Sequence, residues 1–179
     1  MLPTYLHTAE ETRALDTALI ASGISSIALM KKAARAALET LLAHWPDPAS
    51  ITVFCGSGNN GGDGYLLAAL AREKNIAAQV IAVGSVEKFS PDTLQAHAYA
   101  LQNGVTISAW HHDMPLPSGG VLVDALLGTG SLGAPRQAYA AAIEAINHSG
   151  LPVLALDLPS GIDADTGCAE GVAVVAEVT

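Results

Sequence analysis

The sequence predicts a doubly wound α/β domain: a mostly parallel sheet with helices on both faces. Three observations predict it. Short β-rich apolar runs alternate with longer segments of helical periodicity. Those runs are apolar almost throughout, as strands buried on both faces require. Three of them break into polar segments of glycine, aspartate and asparagine, and open α/β sheets bind ligands at the carboxyl ends of their strands.

The elements follow in order. Thr8-x-x-Glu11 has the form of a capping box and opens a helix ending near Gly23. A second helix starts at about Ser26, carries Ile27, Met30, Ala33, Ala34, Ala37, Leu38 and Leu41 along one side, and stops before Pro46. Ile51–Cys55 is the first clear strand. Gly56–Gly64 reads as a tight loop, and a helix continues to about Lys74. Ala78–Val83 is a buried parallel strand. Ser90-Pro91, an N-cap with proline at the first helical position, opens a helix to Asn103-Gly104. Val105–Ala109 and Gly120–Asp124 are strands, about Gln137–His148 is a helix, and Pro152–Leu156 is a strand. Gly171–Val178 is a last apolar run, read as a strand that stops with the chain, so residues 1–179 are expected to form a single domain truncated at its C-terminus.

Composition bounds the function. Half of the 179 residues are apolar, which argues against disorder. The formal net charge is −9, and of eight basic residues only Arg136 lies beyond Lys88. No basic stripe is available for nucleic acid, so an anionic small ligand would be held by backbone amides and helix ends. Two cysteines, Cys55 and Cys168, form no disulfide framework and no metal spacing, which suits a reduced, cytoplasmic setting. No apolar run approaches the ~20 residues of a membrane span. Met1-Leu2-Pro3-Thr4 leads into a polar helix start rather than the apolar core of a leader.

Five glycines lie within the nine residues Gly56–Gly64. Ordered glycine costs conformational entropy, so the expectation is a backbone that approaches a ligand closely, with the amides of the next helix aimed at it. Gly56-x-Gly58-x-x-Gly61 matches a dinucleotide fingerprint, but Gly84-Ser85 stands where a ribose-binding acid belongs. There is no phosphate-loop lysine and no nucleophilic-serine elbow. The segments from Asp124 to Gly133 and from Asp157 to Asp163 also follow strands, so Asn59, Asn60, Asp63, Asp124, Asp157 and Ser160 should converge on one cleft. Plainer readings stand beside this one: Asp63 as a helix cap, Tyr139 as a packing residue, Arg136 as a solvated surface group. His111-His112-Asp113 has no fourth ligand at useful spacing. Asn60, Asp124 and Ser160 offer only oxygen ligands, which suit a hard, weakly bound cation.

Gly58-Asn59-Asn60-Gly61-Gly62-Asp63-Gly64, Val123-Asp124-Ala125-Leu126-Leu127-Gly128-Thr129-Gly130 and Leu156-Asp157-Leu158-Pro159-Ser160-Gly161-Ile162-Asp163 together resemble NAD(P)H-hydrate epimerases. The resemblance covers essentially the whole chain. It implies a Rossmann-like domain that interconverts the R and S forms of hydrated NADH and NADPH. It assigns substrate binding to Asn59, Asn60, Gly61, Gly62 and Asp63; to Gly128, Thr129, Gly130, Ser131, Leu132, Gly133 and Ala134; and to Tyr139 and Asp157. It gives a potassium ion to Asn60, Asp124 and Ser160. It further implies a homodimer, and fusion to an ADP-dependent dehydratase domain that this sequence lacks. The second helix departs from the family pattern, reading Leu29-Met30-Lys31-Lys32-Ala33-Ala34.

Inverting the hydrated carbon needs a group that gives and takes a proton. Asp157 is the first candidate, its pKa expected to be raised by burial, and Asp63 is the second. A non-enzymatic alternative exists, since the fold resembles the dimerising domain of an mRNA-decapping scaffold. A ribokinase-like kinase is a further one. The presence of Asp63, Asp124 and Asp157 favours the enzyme.

Overall fold

Strand β1 (Ile51–Cys55) lies at the centre of the sheet and is buried at every residue. The computed structural model describes residues 8–179; the opening Met1–Thr4, read above as lacking a leader, lies outside the described residues. Beside β1 run β2 (Ala78–Ala82), β3 (Thr106–Ala109), β4 (Val121–Ala125) and β5 (Val153–Ala155), in the order β3-β2-β1-β4-β5. Every pairing is parallel. The chain winds outward from β1 to β3, then crosses back to β4 on the other flank. The winding therefore reverses between β1 and β4, and that is where open sheets of this kind form their binding crevice.

Helices cover both faces. α2 (Ser26–His44), α3 (Asn59–Glu73) and α4 (Pro91–Gln102) pack on one face against Ile51, Val53, Cys55, Val121 and Val123. α5 (Ala138–His148) packs on the other, where Ala142, Ile143 and Ile146 meet Phe54, Ile81 and Leu122. The alternation of Val53 and Phe54 between two cores is the two-residue period of a strand buried on both sides.

The first helix, α1 (Ala9–Ala21), starts at the expected capping box. Thr8 Oγ1 accepts from the Glu11 N–H at 3.2 Å, and Glu11 Oε2 accepts from the Thr8 N–H at 2.8 Å. It is followed by Gly23 at φ +101°. Only Ala9 of this helix is buried, and its N–H donates to Asp165 Oδ1 at 3.1 Å.

Two expectations need correction. Gly56–Gly64 is not one loop, because α3 already begins at Asn59 and most of the glycines are helical. Much of their purpose is internal packing. A Cβ on Gly64 would stand 2.6 Å from Ala125 Cβ and 2.8 Å from Cys55 Sγ, and one on Gly61 would stand 2.1 Å from Gly56 O. Glycine lets α3 rest directly on β1 and β4. Gly171–Val178 is also not a regular strand. It runs along β5 and bridges only at Val178, paired in parallel with Leu154; its Val174 fills the core under α5.

Candidate active-site cleft

The segments after β1, β4 and β5 meet at the reversal point, and Asp124 is the residue about which they close. Its side chain is fully buried near the end of β4. Oδ1 accepts from Ser160 Oγ at 2.6 Å and from the Leu126 N–H at 3.1 Å, and Oδ2 accepts from the Ser160 N–H at 2.8 Å. Burial raises its pKa to about 6, and these three donors hold the rise down. The donor partners of this carboxylate are backbone and hydroxyl groups.

Asn60, in the first turn of α3, is buried beside it. Its Nδ2 donates to Leu127 O at 2.8 Å and to Leu156 O at 3.4 Å, so α3 is tied to the ends of both β4 and β5. Its Oδ1 is buried with no hydrogen-bond partner. A buried carbonyl oxygen rarely goes unsatisfied. An orphaned oxygen near a carboxylate, a serine hydroxyl and the Leu127 carbonyl is a donor set that fits a hard cation. No group of three or more His, Cys, Asp and Glu side chains is disposed to hold a metal among the described residues, His111, His112 and Asp113 included.

Asp157 sits just past β5 at φ +64°, a left-handed conformation that aspartate tolerates better than most side chains. Its Oδ2 accepts from the Thr129 N–H at 2.7 Å, joining the third segment to the second. Gly128 is in the way of nothing only because it lacks a side chain: a Cβ there would meet Asp157 Oδ2 at 2.6 Å. Asp157 is exposed, so the burial expected at this strand end is absent. That effect falls on Asp63, which burial, the Asp157 carboxylate and Asp16 of α1 together push up to about 7. Nor is Asp63 a helix cap. The N-cap of α3 is Gly58, and no side chain caps it.

Tyr139, in the first turn of α5, brings its hydroxyl to the first segment, accepting from the Ser57 N–H at 3.3 Å and lying 3.4 Å from Ser57 Oγ. Ser131 N–H donates to Gly128 O at 2.9 Å, closing a turn in the second segment. Gly128, Ser131 and Gly133 face Leu158–Asp163 and Glu170 across a narrow cleft.

Residues 26–179 match the family described as YjeF-related protein N-terminus. The chain belongs to that family. It is 42% identical over 176 residues to a bifunctional NAD(P)H-hydrate repair enzyme of Coxiella burnetii, covering 98% of this chain and 36% of that relative. It is 36% identical over 174 residues to an NAD(P)H-hydrate epimerase of Limosilactobacillus fermentum, covering 96% and 82%. The chain thus spans about a third of the bifunctional relative and most of the epimerase. The crystal structure of the yeast protein ynu0 superposes with a TM-score of 0.81 at 18% identity, over 96% of this chain and 77% of that one, which establishes the shared fold.

Within this YjeF-related domain the predicted residues divide. Asn60, Asp63, Asp124, Gly128, Thr129, Asp157 and Ser160 come together, and Tyr139 joins them through Ser57. The Gly62 N–H bonds within α3, to Gly58 O at 3.2 Å. Leu132 is 86% exposed and Arg136 is exposed. Sequence reasoning missed the Leu127 carbonyl, the Ser57 backbone and Asp16. None of these carries a local signal, since each acts through a partner distant in the chain.

Proposed function

We propose that the chain is an NAD(P)H-hydrate epimerase, an isomerase that interconverts the R and S forms of hydrated NADH and NADPH. One observation carries the reading: a protein named for that activity is 36% identical to this chain and is covered over 82% of its length. The geometry supports the chemistry. Loss of the hydroxyl from the hydrated carbon needs a proton, and the ring nitrogen supplies the electron pair that leaves an iminium and water. Water adding to the opposite face returns a proton. Asp63, with its pKa near 7, can both give and accept that proton at neutral pH. Asp157, held by Thr129, is the second carboxylate at the reacting edge.

In this reading Asn60 Oδ1, Asp124 and Ser160 would hold a potassium ion, which would supply positive charge that orders the loops and offsets the substrate's phosphates. Asn59–Asp63, Gly128–Ala134 and Tyr139 line the path of the dinucleotide. A cytoplasmic setting goes with the two free thiols, Cys55 and Cys168. No helix among the described residues is long and apolar enough to cross a membrane. A homodimer belongs to the same proposal, since α1 leaves Leu15, Leu19 and Ile20 exposed for a partner to cover. So does fusion to an ADP-dependent dehydratase domain; the relative named as a bifunctional repair enzyme is much longer than this chain.

The deciding experiment supplies purified R-form hydrate together with a dehydratase specific for the S form. The R form should disappear only when this protein is added. Persistence of the R form in its presence refutes the assignment.

A further inference from the structure

α4 begins against the cleft, and its cap does two things at once. Ser90 Oγ accepts from the Thr93 N–H at 3.1 Å, which caps the helix. The same hydroxyl donates to Asn59 Oδ1 at 3.0 Å. Thr93 is fully buried, and its hydroxyl donates to Gly58 O at 3.3 Å while lying 2.9 Å from Ser90 Oγ. Each hydroxyl has one proton. The arrangement that serves both carbonyls sends the Thr93 proton to Gly58 and the Ser90 proton to Asn59.

Asn59 is then not free to choose its orientation. Its carbonyl is held inward against Ser90, and its Nδ2 makes no hydrogen bond among the described residues. Asn59 is exposed at the first turn of α3. No side chain caps that turn, and the first N–H to bond back within it is that of Gly62. Asn59 and the N–H groups before Gly62 belong to the same turn.

We propose that Ser90 is a positioning residue that fixes the Asn59 amide with its NH2 outward, so that Asn59 presents a donor to the substrate. This rests on the epimerase reading and names a residue that touches no substrate. Without Ser90, the Asn59 amide can turn its carbonyl outward, placing an acceptor where a donor is needed.

The test uses the epimerase assay with saturation kinetics. Glycine is a tolerated N-cap, so Ser90→Gly removes the donor with little cost to α4. It should raise KM roughly tenfold and leave kcat within about twofold. Ser90→Thr, which keeps the hydroxyl, should return KM to the wild-type range. Asn59→Ala should raise KM comparably, and the double variant should be no worse than Asn59→Ala alone, because the two residues act as one unit. A wild-type KM in Ser90→Gly, or losses that add in the double variant, overturns the positioning role. Failure of the wild-type protein to consume the R form overturns the underlying reading instead.

Discussion

Ser160 meets the Asp124 carboxylate at both oxygens, its hydroxyl 2.6 Å from Oδ1 and its backbone N–H 2.8 Å from Oδ2. The pair locks the segment after β5 onto the end of β4 and keeps a buried acid supplied with donors. Ser160→Ala deletes the shorter contact and leaves the Leu127 N–H, now 2.9 Å from Ser160 Oγ, without its acceptor. The variant should lose about 1–3 kcal/mol of stability, read from urea unfolding at constant m-value. Unchanged stability would mean that water replaces the hydroxyl at no cost.

The orphaned Asn60 Oδ1 makes a separate prediction. A ligand that binds only the folded protein raises its melting temperature. At matched ionic strength, potassium chloride should raise Tm by a few degrees over tetramethylammonium chloride, and Asn60→Ala should abolish the difference. Equal Tm values in the two salts would rule out a cation at this oxygen.

Asp63 couples stability to pH. The unfolded side chain titrates near 4 and the folded one at about 7, so the native state binds more protons between these values. Its contribution is nil below the unfolded pKa, turns destabilising as pH rises through this window, and reaches its full size above about 7. Asp63→Asn should therefore be more stable than wild type under alkaline conditions, with the gap closing as pH falls toward 4. Calorimetry across this range tests it. In the wild type, the epimerisation rate should inflect near pH 7, and that inflection should be missing in Asp63→Asn.

Much of the fold was legible because each element carried its own signal. The capping box at Thr8, the proline after Ser90 and the mainly apolar β1 and β4 need no tertiary information. The glycines were legible as close approach but not as approach to what. Gly61 and Gly64 serve the contact of α3 with the sheet, and no local pattern separates that role from ligand binding. Gly171–Val178 has strand composition yet pairs only at Val178, because edge pairing depends on the neighbour and not on propensity. In the site, the convergence of Asn60, Asp124, Asp157 and Ser160 followed from their places at strand ends. Which of Asp63 and Asp157 is the more shielded did not, because half-buried Asp63 feels groups far from it in the chain, with Asp16 of α1 close enough to act on its charge.

Asp157 is the residue where backbone and chemistry constrain each other most. Its φ of +64° favours glycine, asparagine or aspartate, so Asp157→Ala would mix backbone strain with loss of the carboxylate. Asp157→Asn avoids this, since asparagine tolerates the same conformation and its carbonyl oxygen can still accept from the Thr129 N–H. What it removes is the capacity to take a proton, together with the negative charge beside Asp63. Two effects should appear in one variant. Epimerisation should fall by about 10²–10⁴-fold with hydrate binding retained, the size expected when a general acid–base group is lost. The native pKa of Asp63 should move down, because Asp157 is one of the causes that raise it. Measuring the rate and the Asp63 titration by NMR on the same protein separates the two roles. A downward shift with an unchanged rate would leave Asp157 as an electrostatic neighbour and Asp63 as the group that handles the proton.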